Sequence, residues 1–347
     1  MTATPILKEI KGASLEEISE TLASAGEAKF RSKQVFEWIW KKNVLSFDQM
    51  TNISQNARNI LASKYCFQTP VIAIQRESKD KTIKVAFKLF DDTFVEGVII
   101  PSKDRATACI SSQVGCALEC TFCATGTLGL NRNLSAGEMY DQVYILNKLS
   151  TEKFGYGLSN IVLMGMGEPL MNYENVMKAI DFITTSKGMG MSPQRITLST
   201  AGLSSKIKQL ADDDFKCNLA ISLHSAFDSK RTNLMKINKS NPLDELQSAI
   251  QYFAKKTGER VTLEYLLLDS VNDSLEDAAQ LAKFCKAFPC KINIIEYNVT
   301  NNSPFNKSPR VSQFASFLES KNMIVNVRAS KGQDIDAACG QLVNSTK

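Results

Sequence analysis

Residues 106–126, "ATACISSQVGCALECTFCATG", contain Cys109, Cys116, Cys120 and Cys123 in one short span. The last three form C-x3-C-x2-C. Structural zinc normally takes four ligands in two pairs, and no fourth Cys or His follows nearby. A bacterial ferredoxin run reads C-x2-C-x2-C-x3-C, which this is not. Three thiolates suit a [4Fe–4S] cluster in which one iron lacks a protein ligand and can bind a small molecule. A buried group of inert cysteines is the plain alternative, but the close spacing around Gly115 and Gly126, between a strand and a helix, favours ligation. Further polar groups stand at the ends of apolar runs: "GMGEP" (165–169), "LSTAG" (198–202), "SLHS" (222–225) and "EYN" (296–298).

Those runs indicate what positions them. From Ser14 to about Cys66 apolar residues recur at helical spacing, and Ser14 with Glu17 makes a capping box. Residues 71–101 alternate apolar and polar residues around "SKDK" and "DD", which predicts strands joined by tight turns. From residue 107 strand-like and helix-like stretches alternate, starting with "TACISSQ" and a helix at 135–150 and ending with a helix at 311–321 and "MIVNVRA". Such alternation predicts parallel crossovers and an α/β fold, a partial (β/α) barrel with a doubly wound open sheet as the alternative. The expected organisation is a helical domain over 1–70, a β-strand extension over 71–106 and a core barrel over 107–347. Functional groups on a barrel gather at the carboxyl ends of its strands, where the motifs stand.

Composition sets the setting. The chain has 347 residues, 44% of them apolar, and 41 Lys and Arg against 36 Asp and Glu, net +5. That mild excess permits a polyanionic partner without requiring one. No apolar run approaches the roughly 18 residues needed to span a bilayer, and the N-terminus lacks a secretory pattern. A cytoplasmic location is expected, where nine cysteines serve as ligands or catalysts rather than as staples.

C-x3-C-x2-C with an aromatic residue, Phe122, before the last cysteine resembles the signature of radical S-adenosylmethionine (SAM) enzymes. The wider stretches "CISSQVGCALECTFCATG", "MGMGEP", "SLH", "RTNLMKINKSNPLDEL" and "GQDIDAACGQL" resemble the RlmN type, the dual-specificity rRNA and tRNA adenine-C2 methyltransferases. The resemblance implies a radical SAM barrel with a helical front domain. It implies that Cys116, Cys120 and Cys123 hold the cluster, and that Gly167, Glu168, Ser199, Ser222, Leu223, His224 and Asn298 contact SAM. A dinucleotide-type loop is disfavoured, because "GMGEPL" places Leu170 where G-x-G-x-x-G needs a small residue.

By the same resemblance Cys339 accepts a methyl group from one SAM. A second SAM, cleaved by an electron from the cluster, yields a radical that takes hydrogen from the S-methyl group, and the methylene radical adds to adenine C2. Cys109 then helps release the product through a transient Cys109–Cys339 disulfide, and Glu96 fits the base that removes the C2 proton. The implied partners are 23S rRNA, tRNA and an electron donor such as flavodoxin with its reductase, the enzyme acting as a monomer. Residues proposed to meet RNA are Lys29, Arg31, Lys33, Lys41 and Lys42 with Trp38 and Trp40 among them, and Lys230, Arg231, Lys236 and Lys239. Cys66, Cys217, Cys285 and Cys290 read as packing residues. Three rivals remain: a sister activity at C8 of the same rRNA adenine, disfavoured by Pro169 after Glu168; a radical SAM enzyme of small molecules or peptides; and a noncatalytic iron–sulfur or zinc module.

Overall fold

The computed structural model describes residues 7–24, 26–300 and 303–343. The outermost residues assigned above to the 1–70 and 107–347 segments lie outside the described residues. The first described segment is helical: α1 (Leu15–Ala23), α2 (Arg31–Trp40) and α3 (Gln55–Lys64). Ser14 starts α1 with the expected reciprocal cap, its hydroxyl accepting from the Glu17 N–H at 3.1 Å and its own N–H donating to the Glu17 carboxylate at 2.8 Å.

Ten strands then form one sheet, laid side by side in chain order. The first three, β1 (Val71–Glu77), β2 (Ile83–Lys88) and β3 (Phe94–Ser102), pair antiparallel. Strand β4 (Arg105–Cys109) is the joint, antiparallel to β3 on one side and parallel to β5 (Asn160–Leu163) on the other. The boundary placed between 106 and 107 thus falls inside a single strand, and extension and barrel share one sheet. Strands β6 (Ile196–Thr200), β7 (Asn218–Ser222), β8 (Val261–Leu267), β9 (Cys290–Glu296) and β10 (Val325–Arg328) continue in parallel. Between them run α4 (Ala136–Phe154), α5 (Tyr173–Thr184), α6 (Ser204–Asp212), the short α7 (Asp228–Leu234), α8 (Leu243–Thr257), α9 (Leu275–Cys285) and α10 (Val311–Ser320). A doubly wound sheet needs a point where strand order reverses. This order never reverses, so right-handed crossovers place the helices on one face and leave the other to curl inward. Every residue of β8 is buried, as expected for a parallel strand covered on both faces.

The predicted strand over "TACISSQ" is cut short. Ser111 ends the ladder by turning its hydroxyl to the Glu96 carbonyl (2.6 Å) and its N–H to Gln142 Oε1 (3.0 Å). Residues Gln113–Cys116 instead pair with Gly129–Asn133 in a separate hairpin, and Cys120 and Cys123 lie in its long loop.

The sheet is open between β10 and β1, and the C-terminal segment crosses the gap. Asp334 accepts from Ser78 Oγ (2.5 Å) and from the Lys79 N–H (3.1 Å), and the Gly332 N–H donates to Asp80 Oδ2 (3.0 Å). Farther along, Lys84 Nζ donates to the Asp336 carbonyl (3.0 Å) and the Val343 N–H to Glu96 Oε2 (3.0 Å). Between these last two ties lies Cys339.

The helical segment is fastened to the core by apolar and ionic contacts. Trp40, fully buried, stacks on Phe182 of α5 with ring centroids 3.5 Å apart and meets Tyr140 of α4 edge-on at 5.1 Å. Lys11 forms a buried ion pair with Asp141 and donates to Asn43 Oδ1 at 2.7 Å. Removing a large buried aromatic costs roughly 3–5 kcal/mol. Trp40→Ala is therefore expected to lower unfolding free energy by about that much, read as a shift in the urea midpoint. An unchanged midpoint would mean the stacked contact contributes nothing. Among the described residues no helix is long and apolar enough to cross a membrane.

Candidate active site

The carboxyl ends of β5 to β8, the cysteine loop and the C-terminal segment enclose a cavity with an empty volume of about 950 Å³, open to solvent on one side. Cys116, Cys120 and Cys123 all line it, with Phe122 beside them. Burial first, then the neighbouring Cys123 and Cys116, push the Cys120 thiol well above the ordinary range, while burial raises Cys116 to about 11. The three sulfurs are near enough to feel one another's charge. Among the described residues no three His, Cys, Asp or Glu groups converge on one point, as a single ion would require. A four-iron cluster spreads its ligands over separate atoms, and three mutually interacting thiols around one cavity fit it.

Gly167, Glu168, Ser199, Ser222 and His224 line the same cavity. Gly167 has φ +98°, and a Cβ there would meet the Gln113 side chain at 2.5 Å, so the position requires glycine. The next residue, Glu168, is buried. Its Oε2 accepts from the Ala201 N–H (2.7 Å) and Oε1 from the Leu170 N–H (3.0 Å), while burial raises its pKa. His224 accepts the Leu266 N–H on Nδ1 (3.0 Å), which leaves Nε2 to carry the ring proton. Burial holds it neutral, lowered to about 3, and its ring meets Phe122 edge-on.

Two residues expected on this wall are placed elsewhere. The Leu223 side chain is fully buried in the core and is not among the residues lining the cavity. Asn298 faces a second cavity, where its Nδ2 reaches the Cys339 carbonyl at 3.4 Å and its Oδ1 accepts from Gln333 (2.9 Å).

That second cavity contains Cys109, and Cys339 lines both cavities. Cys339 sits in a turn and is solvent-exposed. Dense protein around it raises its thiol, and the Arg328 guanidinium pulls the other way. Burial pushes the Cys109 thiol to about 12, with the nearby Cys339 adding to the rise. Arg328, also on both walls, pairs with Glu264 at 3.4 Å. Sequence reading missed Arg328 and Glu264, although single charges inside the apolar strands "VTLEYLL" and "VNVR" were a usable signal.

Glu96 is fully buried on β3, paired with Lys84 at 3.1 Å and bonded to the Val343 N–H; it is not among the residues lining either cavity. Two of the RNA candidates are corrected outright, since Trp40 and Arg231 are fully buried. Lys29, Lys33, Lys41 and Lys42 are exposed, and Lys42 Nζ stands 3.4 Å above the half-buried Trp38 ring. Of the second group, Lys236 and Lys239 are exposed, while Lys230 is committed to Asp277 at 2.7 Å.

Residues 8–67 match the ribosomal RNA large subunit methyltransferase N-terminal domain and residues 110–282 the radical SAM superfamily. A protein of Cytophaga hutchinsonii named "Probable dual-specificity RNA methyltransferase RlmN" is 48% identical over 344 residues, covering 98% of this chain and 94% of its own. Its namesake in Christiangramia forsetii is 47% identical, with coverage of 98% and 97%. The crystal structure of a radical SAM methyltransferase from Sphaerobacter thermophilus superposes with a TM-score of 0.91 at 38% identity, covering 97% of this chain and 99% of that one. The fold is thus the radical SAM fold, and with it come a [4Fe–4S] cluster and SAM as cofactors. Full-length likeness at this level means that the chain is a methyltransferase and belongs to the RlmN family of the radical SAM superfamily.

Proposed function

We propose that this chain methylates carbon 2 of an adenine in the peptidyl-transferase region of 23S rRNA and of the adenine 3′ to the anticodon in tRNA, passing the methyl group through Cys339. The observation that carries the reading is Cys339 on the shared wall of two cavities, one with the cluster cysteines and the other with Cys109. Adenine C2 is electron-poor and has no lone pair, so direct transfer of a methyl cation to it is unfavourable, and a carrier atom in the protein solves the problem.

Cys116, Cys120 and Cys123 would hold the cluster, which when bound supplies the electron that cleaves SAM to a carbon radical. Glu168, with Gly167 beside it, receives the ammonium of SAM, a charge-assisted contact. Ser199 and Ser222 offer hydrogen bonds to SAM, and the Nε2–H of His224 donates to one of its acceptor atoms. Cys339 needs thiolate character to take the methyl group; burial works against that form and the Arg328 guanidinium favours it. Once the adduct has returned one electron to the donor and lost the C2 proton, Cys109 attacks the Cys339 sulfur as a thiolate: the S–S bond forms as the S–C bond breaks, the bonding pair passes to the nucleotide's methylene carbon, which takes up a proton to become the methyl group, and a donor of the flavodoxin class later reduces the disulfide. Glu96 is held beneath the C-terminal segment, so removing the C2 proton requires that segment to shift when RNA binds. A flipped-out or single-stranded adenine fits such a site, and the exposed lysines of the helical segment would meet the phosphates. The enzyme works as a monomer in the cytoplasm.

Nucleoside mass spectrometry of RNA treated with anaerobically reconstituted protein, SAM and a reductant tests this. 2-Methyladenosine is expected. 8-Methyladenosine would hand the chain to the sister activity.

A further inference from the structure

The motif "RTNLMKINK" has no part in the chemistry above, yet its arginine is one of the largest fully buried side chains. Arg231 of α7 directs its hydrogen bonds at neutral oxygens. Nε donates to the Leu223 carbonyl (3.1 Å), NH2 to the carbonyls of Ala201 (2.6 Å) and Ser222 (3.3 Å), and NH1 to Asn238 Oδ1 (2.6 Å). Burying a guanidinium is costly unless each donor is used, and here the donors are spent on the carboxyl ends of β6 and β7.

Those ends carry the SAM wall. The Ala201 peptide is gripped from both sides, its carbonyl by Arg231 and its N–H by Glu168 Oε2. Ser222 and Leu223 precede His224. The same helix ends at Leu234, whose carbonyl accepts the N–H of Thr121 (3.0 Å), between two of the cluster cysteines. Asn238 holds the guanidinium and is itself held, its Nδ2 donating to Asp228 Oδ1 (3.0 Å) and Thr232 Oγ1 (2.8 Å).

We infer that Arg231, seated by Asn238, is a positioning residue for SAM: it locks the Ala201 peptide and the end of β7 to the cysteine loop and so aims Glu168, Ser222 and His224 into the cavity. The inference rests on the reading that Glu168 meets SAM.

The test is equilibrium binding of SAM to the reconstituted holoenzyme, with iron content, RNA affinity and thermal melting followed on the same samples. Arg231→Lys keeps the charge and loses the fork. It is expected to weaken SAM binding about tenfold, the scale of a lost buried hydrogen bond, and to raise KM for SAM more than it lowers kcat. Iron content and RNA affinity should stay within about twofold, because the substitution leaves in place the backbone bond from Thr121 of the cysteine loop to Leu234 and does not touch the exposed lysines. Asn238→Ala leaves the guanidinium unseated and is expected to weaken SAM binding about threefold. Unchanged SAM affinity in Arg231→Lys overturns the proposal, as does parallel loss of SAM, iron and RNA binding, which would mark a purely structural residue. If Arg231→Lys fails to fold, Asn238→Ala decides, and unchanged affinity there overturns it. Glu168→Gln separates the two readings. If it leaves SAM affinity intact, the placement of SAM is wrong; if it weakens SAM while Arg231→Lys does not, only the positioning role fails.

Discussion

Cys339→Ala is expected to reduce methyl transfer to RNA by a factor on the order of 10³ or more, the scale seen when a covalent nucleophile is deleted, while leaving iron content and SAM binding near wild type. The sulfur is the carrier in this account, and alanine offers no atom in its place. Cys109 cannot substitute, because it lies buried in the second cavity with its thiol raised to about 12. Cys339 by contrast reaches solvent and the cavity lined by Cys116, Cys120 and Cys123 alike. The measurement is tritium transfer from labelled SAM to RNA under single-turnover conditions. Retention of even a tenth of wild-type transfer would mean that the methyl group bypasses this thiol.

The second large effect concerns the cluster. Cys120→Ala is expected to drop iron after reconstitution from about four per chain to near background, and with it cleavage of SAM to 5′-deoxyadenosine. The Cys120 proton is held by burial and by Cys123 and Cys116. Iron must displace that proton, and the resulting thiolate–iron bonds are what make the loop bind. Two remaining cysteines leave two irons without protein ligands, and a variant retaining about four irons would show that another residue completes the site. Because SAM chemistry depends on the cluster, Cys120→Ala should abolish methylation of Cys339 as well as of RNA, whereas Cys339→Ala should spare SAM cleavage.

Much of this site was legible in the sequence because its parts are local. The cysteine spacing is a property of one loop, and Gly167 and Glu168 occupy a strand end that the apolar pattern located. The capping box of Ser14 and Glu17 and the helix over 311–321 were likewise legible from short-range spacing alone, and the structure places α10 within one residue of those bounds. What the sequence hid depends on contacts between distant segments. The hairpin between Gln113–Cys116 and Gly129–Asn133 arises because Ser111 finds partners in β3 and α4. Arg231 looked like an exposed cation for RNA because its acceptors are backbone carbonyls, which no side-chain pattern reveals. Trp40 sat among basic residues as if to stack on a base, yet its ring partner is Phe182, far along the chain. The alternating pattern of residues 71–101 does not reveal what covers Glu96, and its burial under Val343 follows from a C-terminal segment that returns across the open side of the sheet.

Passage of the methyl group through Cys339 is open to one direct experiment. The reconstituted protein is incubated with deuterium-labelled methyl SAM and reductant-free buffer, freed of SAM, and analysed by peptide mass spectrometry before and after a chase with RNA, unlabelled SAM and reductant. The account predicts a labelled methyl group on the Cys339 peptide before the chase, and its loss from that peptide with label appearing in adenosine afterwards. RNA that acquires only unlabelled methyl groups, while the label stays on Cys339 or never appears there, would contradict it.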